Sequence, residues 1–179
     1  MLPEGLNIAQ CKCGGICGTP TDEKFKCPVC GKDGVMVTIP LVENLLKNEK
    51  KSDLVKDDKY FLCMDPDCRV SYFNRKGNPV FMVDDIKVPI WFKKGASKEI
   101  ACYCNNITFD QVREQVKAGK KIWKEIVGAY RKKPLCNCAV LNPIGNCCTP
   151  VFYDIVNQEL KKMGKEVVSQ EFIDKYGCC

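Results

Sequence analysis

Fifteen cysteines and not one histidine limit what a sequence of 179 residues can build. Cysteines at this density form either disulfides in an oxidising compartment or metal sites in a reducing one. The opening stretch MLPEGLNIAQ lacks the basic and apolar regions of a signal peptide, which favours metal ligation in an intracellular protein. Without histidine, a zinc site must be built mainly from cysteine, and a Rieske-type cluster with histidine ligands is excluded.

Local patterns divide the chain into three segments and predict an α+β fold. Residues 1–26 contain several glycines and few apolar anchors, which indicates a flexible lead-in that still carries cysteines. Residues 27–94 form a β-rich, zinc-ribbon-like unit with strand patterns in DGVMVTI, KYFLC, RVSYFN and the long PVFMVDDIKVPIWF. One amphipathic helix, LVENLLKN at 41–48, interrupts these strands. Residues 95–179 are predicted to form an all-α unit.

Helix signals are strongest in this last segment. Thr108 followed by Gln111 is a capping box, and Gly119 is the predicted stop of the helix that it starts. Further helices are predicted over 122–130, after Thr149 as cap with Pro150 at the first position, and over roughly 169–176.

The first metal constellation joins CPVCG at 27–31 to CMDPDC at 63–68. Each segment is a tight turn that can aim two sulfurs at one ion, and four thiolates bind Zn²⁺ tetrahedrally. A thioredoxin-like redox pair is the competing interpretation of CPVC, but that motif belongs at a strand-to-helix junction, whereas a GKDG turn follows here. The predicted zinc ligands are Cys27, Cys30, Cys63 and Cys68, and the site is expected to be structural.

A second constellation combines CYC at 102–104 with CNC and CC farther along the chain. A two-iron cluster needs four thiolates, and both cysteine groups lie next to predicted helix starts, where free N–H groups stabilise an anionic centre. A second zinc site is the alternative. The candidate [2Fe-2S] ligands are Cys102, Cys104, Cys136, Cys138, Cys147 and Cys148, and spacing leaves open which member of each later pair binds.

Two family resemblances support this interpretation. CYCNNIT, a helical hairpin and then paired cysteines resemble the [2Fe-2S] domain of bacterioferritin-associated ferredoxin, although that family closes with C-x-x-C. The ordered set CPVCG, TIPLVENLL, YFLCMDPDCRVSYFN, CYCNNIT and CNCAVLNPIGNCC resembles the amino-terminal part of CopZ-type copper chaperones over roughly residues 25–155. This resemblance implies zinc at the first four cysteines, and a [2Fe-2S] cluster at Cys102, Cys104 and one cysteine of each later pair.

Copper handling is a further expectation from the second resemblance. Full-length chaperones of that kind also carry a small domain with an M-x-C-x-x-C loop, which this sequence lacks. Spare thiols are soft ligands of the type that Cu(I) prefers. The possible extra ligands are Cys11, Cys13, Cys17, Cys178 and Cys179.

The predicted function is one-electron transfer by a cytoplasmic iron–sulfur and zinc protein, to a redox partner protein or to a metal ion such as Cu(II). A non-catalytic metal or redox sensor that binds a partner is the alternative. Nucleic-acid binding has less support, because the basic stretch KNEKKSDLVKDDK also contains acidic residues and two thiolate centres of roughly −2 each would offset most of the +6 charge. No apolar run is long enough for membrane insertion. The sequence contains no nucleotide-binding glycine pattern, so an enzyme is the less supported prediction.

Overall fold

The computed structural model describes residues 24–177. Most of the predicted lead-in, together with Cys11, Cys13, Cys17, Cys178 and Cys179, therefore lies outside the described residues. Within the described range, small antiparallel sheets combine with short helices, which confirms the predicted α+β class. No helix in that range is both long enough and apolar enough to cross a membrane.

A four-stranded antiparallel sheet, with its strands in chain order, dominates the first half of the structure. One face carries Phe61, Val70 and Phe73 towards the first four candidate cysteines, and the other packs Leu62 and Tyr72 against the first helix. Aromatic and β-branched residues suit such strands because both faces are buried. The strands are β1 (Gly34–Val37), β2 (Tyr60–Cys63), β3 (Val70–Asn74) and β4 (Val80–Met82).

The first helix and the last strand of this half differ from the prediction. Helix α1 spans Ile39–Leu45 and begins two residues early, because Thr38 Oγ1 accepts a hydrogen bond from the N–H of Leu41 at 3.4 Å. The long strand predicted over 79–92 is wrong, since β4 ends at Met82. There the Asp85 carboxylate accepts the Met82 N–H at 2.8 Å, and a 3-10 turn over Val83–Asp85 replaces the strand.

The second half begins with a short β-hairpin, so the all-α unit predicted over 95–179 is wrong on this point, and it continues through helices. The predicted capping box is confirmed: the Gln111 N–H donates to Thr108 Oγ1 at 3.3 Å, and the Thr108 N–H donates to Gln111 Oε1 at 2.9 Å. Thr149 is the first helical residue rather than the cap, because its hydroxyl donates to the Gly177 carbonyl at 2.8 Å. The elements are β5 (Ile100–Cys102), β6 (Ile107–Thr108), α2 (Phe109–Lys117), α3 (Trp123–Gly128), α4 (Cys138–Leu141), α5 (Thr149–Lys162) and α6 (Gln170–Tyr176).

The segment between α4 and α5 packs against the sheet half. Ile144 is buried in the core that β2, β3 and α1 form, and the Tyr72 hydroxyl donates to the Pro143 carbonyl at 2.8 Å. The Asn44 amide donates to the Val140 carbonyl, also at 2.8 Å. These contacts anchor the chain between the later cysteine pairs, so the second candidate centre rests on the sheet half as well as on the helices.

Candidate metal centres

Two short turns carry the first four cysteines. In the first turn the Gly31 N–H donates to the Cys27 carbonyl at 2.9 Å, and Gly31 has a φ of +72°, which glycine adopts without strain. In the second, Cys63 ends β2 and the Cys68 N–H donates to the Asp65 carbonyl at 3.3 Å. Pairing of β1 with β2 aligns Gly34 with Cys63, which brings the two turns together.

The four sulfurs of these turns have the spacing of a tetrahedral zinc site. All four lie within 4.8 Å of one another, with Cys27 and Cys68 at 4.0 Å and Cys30 and Cys63 at 3.6 Å. Zn–S bonds of about 2.3 Å at tetrahedral angles place neighbouring sulfurs about 3.8 Å apart. The donor set therefore fits Zn²⁺, and four protein ligands leave no open position for a substrate.

Burial and local hydrogen bonds act on these thiols in opposite directions. Burial opposes ionisation of Cys27, yet the backbone N–H groups of Cys30 and Val29 hold its pKa below the ordinary value. Burial raises the pKa of Cys63, although the nearby positive charge of Lys93 acts to lower it. Because zinc binds thiolates, the ion must displace protons from the more deeply buried sulfurs when it binds.

The second constellation collects sulfurs from four separate places in the chain. Cys102 ends β5, Cys104 lies in the hairpin turn, Cys138 begins α4 and Cys148 immediately precedes α5. These four and the adjacent Cys147 are thiols outside any disulfide, whereas Cys136 is disulfide-bonded. The structure thus brings together five of the six residues that the sequence suggests for the cluster.

Four of these sulfurs form a ring rather than a tetrahedron. Cys104 and Cys138 Sγ lie 3.6 Å apart. The thiols of Cys102 and Cys138 each interact with those of Cys104 and Cys148. Unlike the first four cysteines, no three sulfurs of this described group all lie within 4.8 Å of one another. Hydrogen bonds from Cys104 and Cys148 lower the pKa of Cys102 to about 3.

Two asparagines donate hydrogen bonds to the sulfurs of this ring. The buried Asn105 amide donates to Cys102 Sγ at 3.3 Å and to the Leu135 carbonyl at 2.8 Å. The backbone N–H of Asn137 donates to Cys104 Sγ at 3.2 Å. Such donors stabilise thiolate charge and tune a bound centre. Sequence reasoning missed both residues, although each directly follows a cysteine, which is a usable signal.

Comparisons with known proteins agree with this geometry. A family model described as the CopZ zinc-binding domain matches residues 24–87, the range that contains the tetrahedral cysteines. The X-ray structure of the Archaeoglobus fulgidus CopZ amino-terminal domain is similar to this chain, with 27% identity and a TM-score of 0.56 over 80% of this chain and 100% of the solved one. No curated protein sequence matches. Residues 24–87 are therefore a zinc-binding domain of the CopZ type, and the described chain shares the fold of a CopZ amino-terminal domain.

Proposed function

We propose that this protein is a one-electron carrier. Zinc at the first centre stabilises the sheet half, and a [2Fe-2S] cluster occupies the second centre. The observation that carries the proposal is the ring of Cys102, Cys104, Cys138 and Cys148. A two-iron cluster takes two thiolates on each iron, and so it needs two sulfur pairs set apart rather than one tight tetrahedron. When bound, such a cluster gains and loses a single electron.

The chain's own residues would hold and tune the cluster. Cys104 and Cys138, 3.6 Å apart, have the spacing of two ligands to one metal ion, and Cys102 with Cys148 would form the other pair. The N–H donors of Asn105 and Asn137 favour the more negative, reduced state, since they stabilise charge on sulfur. Burial of Cys102 and Cys148 keeps water from that side of the site.

Two electron acceptors come into consideration, one of them suggested by the CopZ likeness. Cu(II) is one candidate: it would take one electron and leave as Cu(I), a cargo for soft sulfur ligands. The cysteines suggested for that cargo lie outside the described residues. A partner redox protein is the other candidate, and one surface of the described chain favours it.

That surface, which we call the basic edge, consists of Lys124, Arg131, Lys132, Lys133 and Leu135. Leu135 is 52% exposed, and its own backbone is hydrogen-bonded to Asn105 beside the cysteine ring. Lys124, Arg131 and Lys132 border an open cavity, and none of the ion pairs in the described chain uses Lys132 or Lys133. An apolar centre with a charged rim is typical of protein interfaces, and here the rim suits an acidic partner.

Metal and acid-labile sulfide analysis of anaerobically purified protein tests the proposed function. We expect about two irons, two sulfides and one zinc per chain, with a reversible EPR signal that appears on reduction. Iron in this ratio without a reversible one-electron signal would favour a sensor, in which loss of the cluster remodels the helical half. Two zincs without sulfide would overturn the proposal and leave a protein with two structural zinc sites.

Charge reversal on the basic edge should slow electron transfer to an anionic oxidant. In the reduced holoprotein, we expect the double variant Lys132→Glu/Lys133→Glu to react with iron(III)–EDTA at least about 10-fold more slowly at low salt, because attraction towards the exposed edge is lost. The difference should shrink as ionic strength rises. Stopped-flow absorbance of the cluster measures the rate.

A matched control separates local charge from net charge. Lys76 and Lys165 are exposed and lie elsewhere, in the turn between β3 and β4 and beyond the far end of α5. The variant Lys76→Glu/Lys165→Glu changes the net charge equally and should retain a rate close to that of the original protein. Equal slowing of both double variants would show that the basic edge has no special role.

A further inference from the structure

Lys93 is a charged side chain with almost no access to solvent. It is 5% exposed, and its ammonium group lies 5.6 Å from the centre of the Phe92 ring. Its Nζ donates to the Asp65 carbonyl at 2.8 Å and to the Cys68 carbonyl at 3.1 Å. Both acceptors belong to the turn between Cys63 and Cys68, so this lysine contacts the backbone that carries half of the first metal centre.

No carboxylate of the described chain forms an ion pair with this ammonium group. The nearby Asp65 carboxylate pairs instead with Lys32, at 3.0 Å. Burial of an unpaired charge costs several kcal/mol, so buried lysines are normally found with an anion. The two carbonyls that Lys93 binds place its ammonium group against the turn that carries Cys63 and Cys68. The cysteine cluster of the first metal centre is therefore the candidate anion for this lysine.

We propose that Lys93 is the internal counter-charge of the zinc-loaded site and the clamp of the Cys63–Cys68 turn. A Zn²⁺ ion with four thiolates carries about −2, and one buried ammonium beside it lowers that to about −1. The two carbonyl contacts keep the turn in the shape that presents both sulfurs. The proposal concerns zinc alone and does not depend on the iron–sulfur cluster.

The test is zinc affinity in variants that remove the charge, measured in the full chain by competition with a chromophoric chelator. Lys93→Met keeps the length and apolar stem, and Lys93→Gln keeps an N–H donor without charge. We expect both to bind zinc about 10- to 100-fold more weakly, the usual effect of losing an outer-sphere partner of a metal site. If Lys93→Gln retained the original affinity, the charge would be unnecessary and the proposal would fail.

Lys94 is the matched control. Its side chain is 82% exposed, and it pairs with Asp67 at 3.2 Å, so Lys94→Met causes the same change in net charge one residue away. Because an exposed pair contributes little, this variant should bind zinc within about twofold of the original protein. A loss equal to that in Lys93→Met would point to net charge, which also overturns the proposal.

A spectroscopic measurement distinguishes the charge from a purely structural role. In Co²⁺-substituted protein the sulfur-to-metal charge-transfer band reports the energy of the sulfur lone pairs, which a nearby cation lowers. Removal of the charge should move this band to longer wavelength in both Lys93 variants and leave it unchanged in Lys94→Met. An unshifted band in folded Lys93 variants would show that Lys93 only holds the turn in shape, which would contradict its role as a counter-charge.

Discussion

Replacement of Cys63 by serine is expected to lower zinc affinity by more than about 100-fold, since even outer-sphere partners of a metal contribute 10- to 100-fold. Cys63 is fully buried and lies 3.6 Å from Cys30 Sγ, so no other group can take its place as a ligand. A 100-fold loss of affinity at a saturating ligand concentration removes about 2.7 kcal/mol of stability. Denaturant unfolding with and without zinc measures this loss.

The zinc dependence of the effect is its control. In zinc-free protein the substitution should cost far less, because only a buried sulfur is exchanged for a hydroxyl and no metal bond is lost. The same experiment on Cys147→Ser, which changes a thiol in the other centre, should leave zinc binding unchanged. If Cys63→Ser retained one zinc per chain and the original unfolding curve, Cys63 would not be a ligand.

The second large effect is expected at the paired cysteines before α5. Cys148→Ser should abolish cluster assembly, whereas Cys147→Ser should retain most of the iron and sulfide. Cys148 is 4% exposed and interacts with both Cys102 and Cys138. Cys147 also interacts with Cys138, but it is less buried, and its Sγ lies 3.0 Å from the Thr149 hydroxyl. Iron and acid-labile sulfide per chain, together with the visible spectrum, measure the outcome.

These two variants form a matched pair, because each changes one atom at adjacent positions. The reverse pattern, with assembly lost only in Cys147→Ser, would assign the ligand to Cys147 and contradict the ring described here. Zinc content should stay at one per chain in both variants. A parallel loss of zinc would show that the helical half and the sheet half fold together.

Much of the architecture could be predicted from local patterns. The capping box at Thr108 and the α+β arrangement depend on interactions between near neighbours, and the structure contains both. The strand predicted over 79–92 is wrong, although its apolar residues suit a strand. The Asp85 carboxylate accepts a hydrogen bond from the Met82 N–H, and the strand ends there. A side chain that competes for backbone N–H groups can override a hydrophobic pattern.

The sequence by itself determined which cysteines are available in each turn, because two sulfurs in a short motif are held by local backbone geometry. CPVC and CMDPDC supply the four sulfurs that lie within 4.8 Å of one another. Only the tertiary structure decided that Cys138 approaches Cys104 while Cys136 is disulfide-bonded, and that Lys93 is buried against the Cys68 turn. Spacing leaves such choices open, since burial and charge compensation arise from residues that are distant in the chain and meet only when the cores pack.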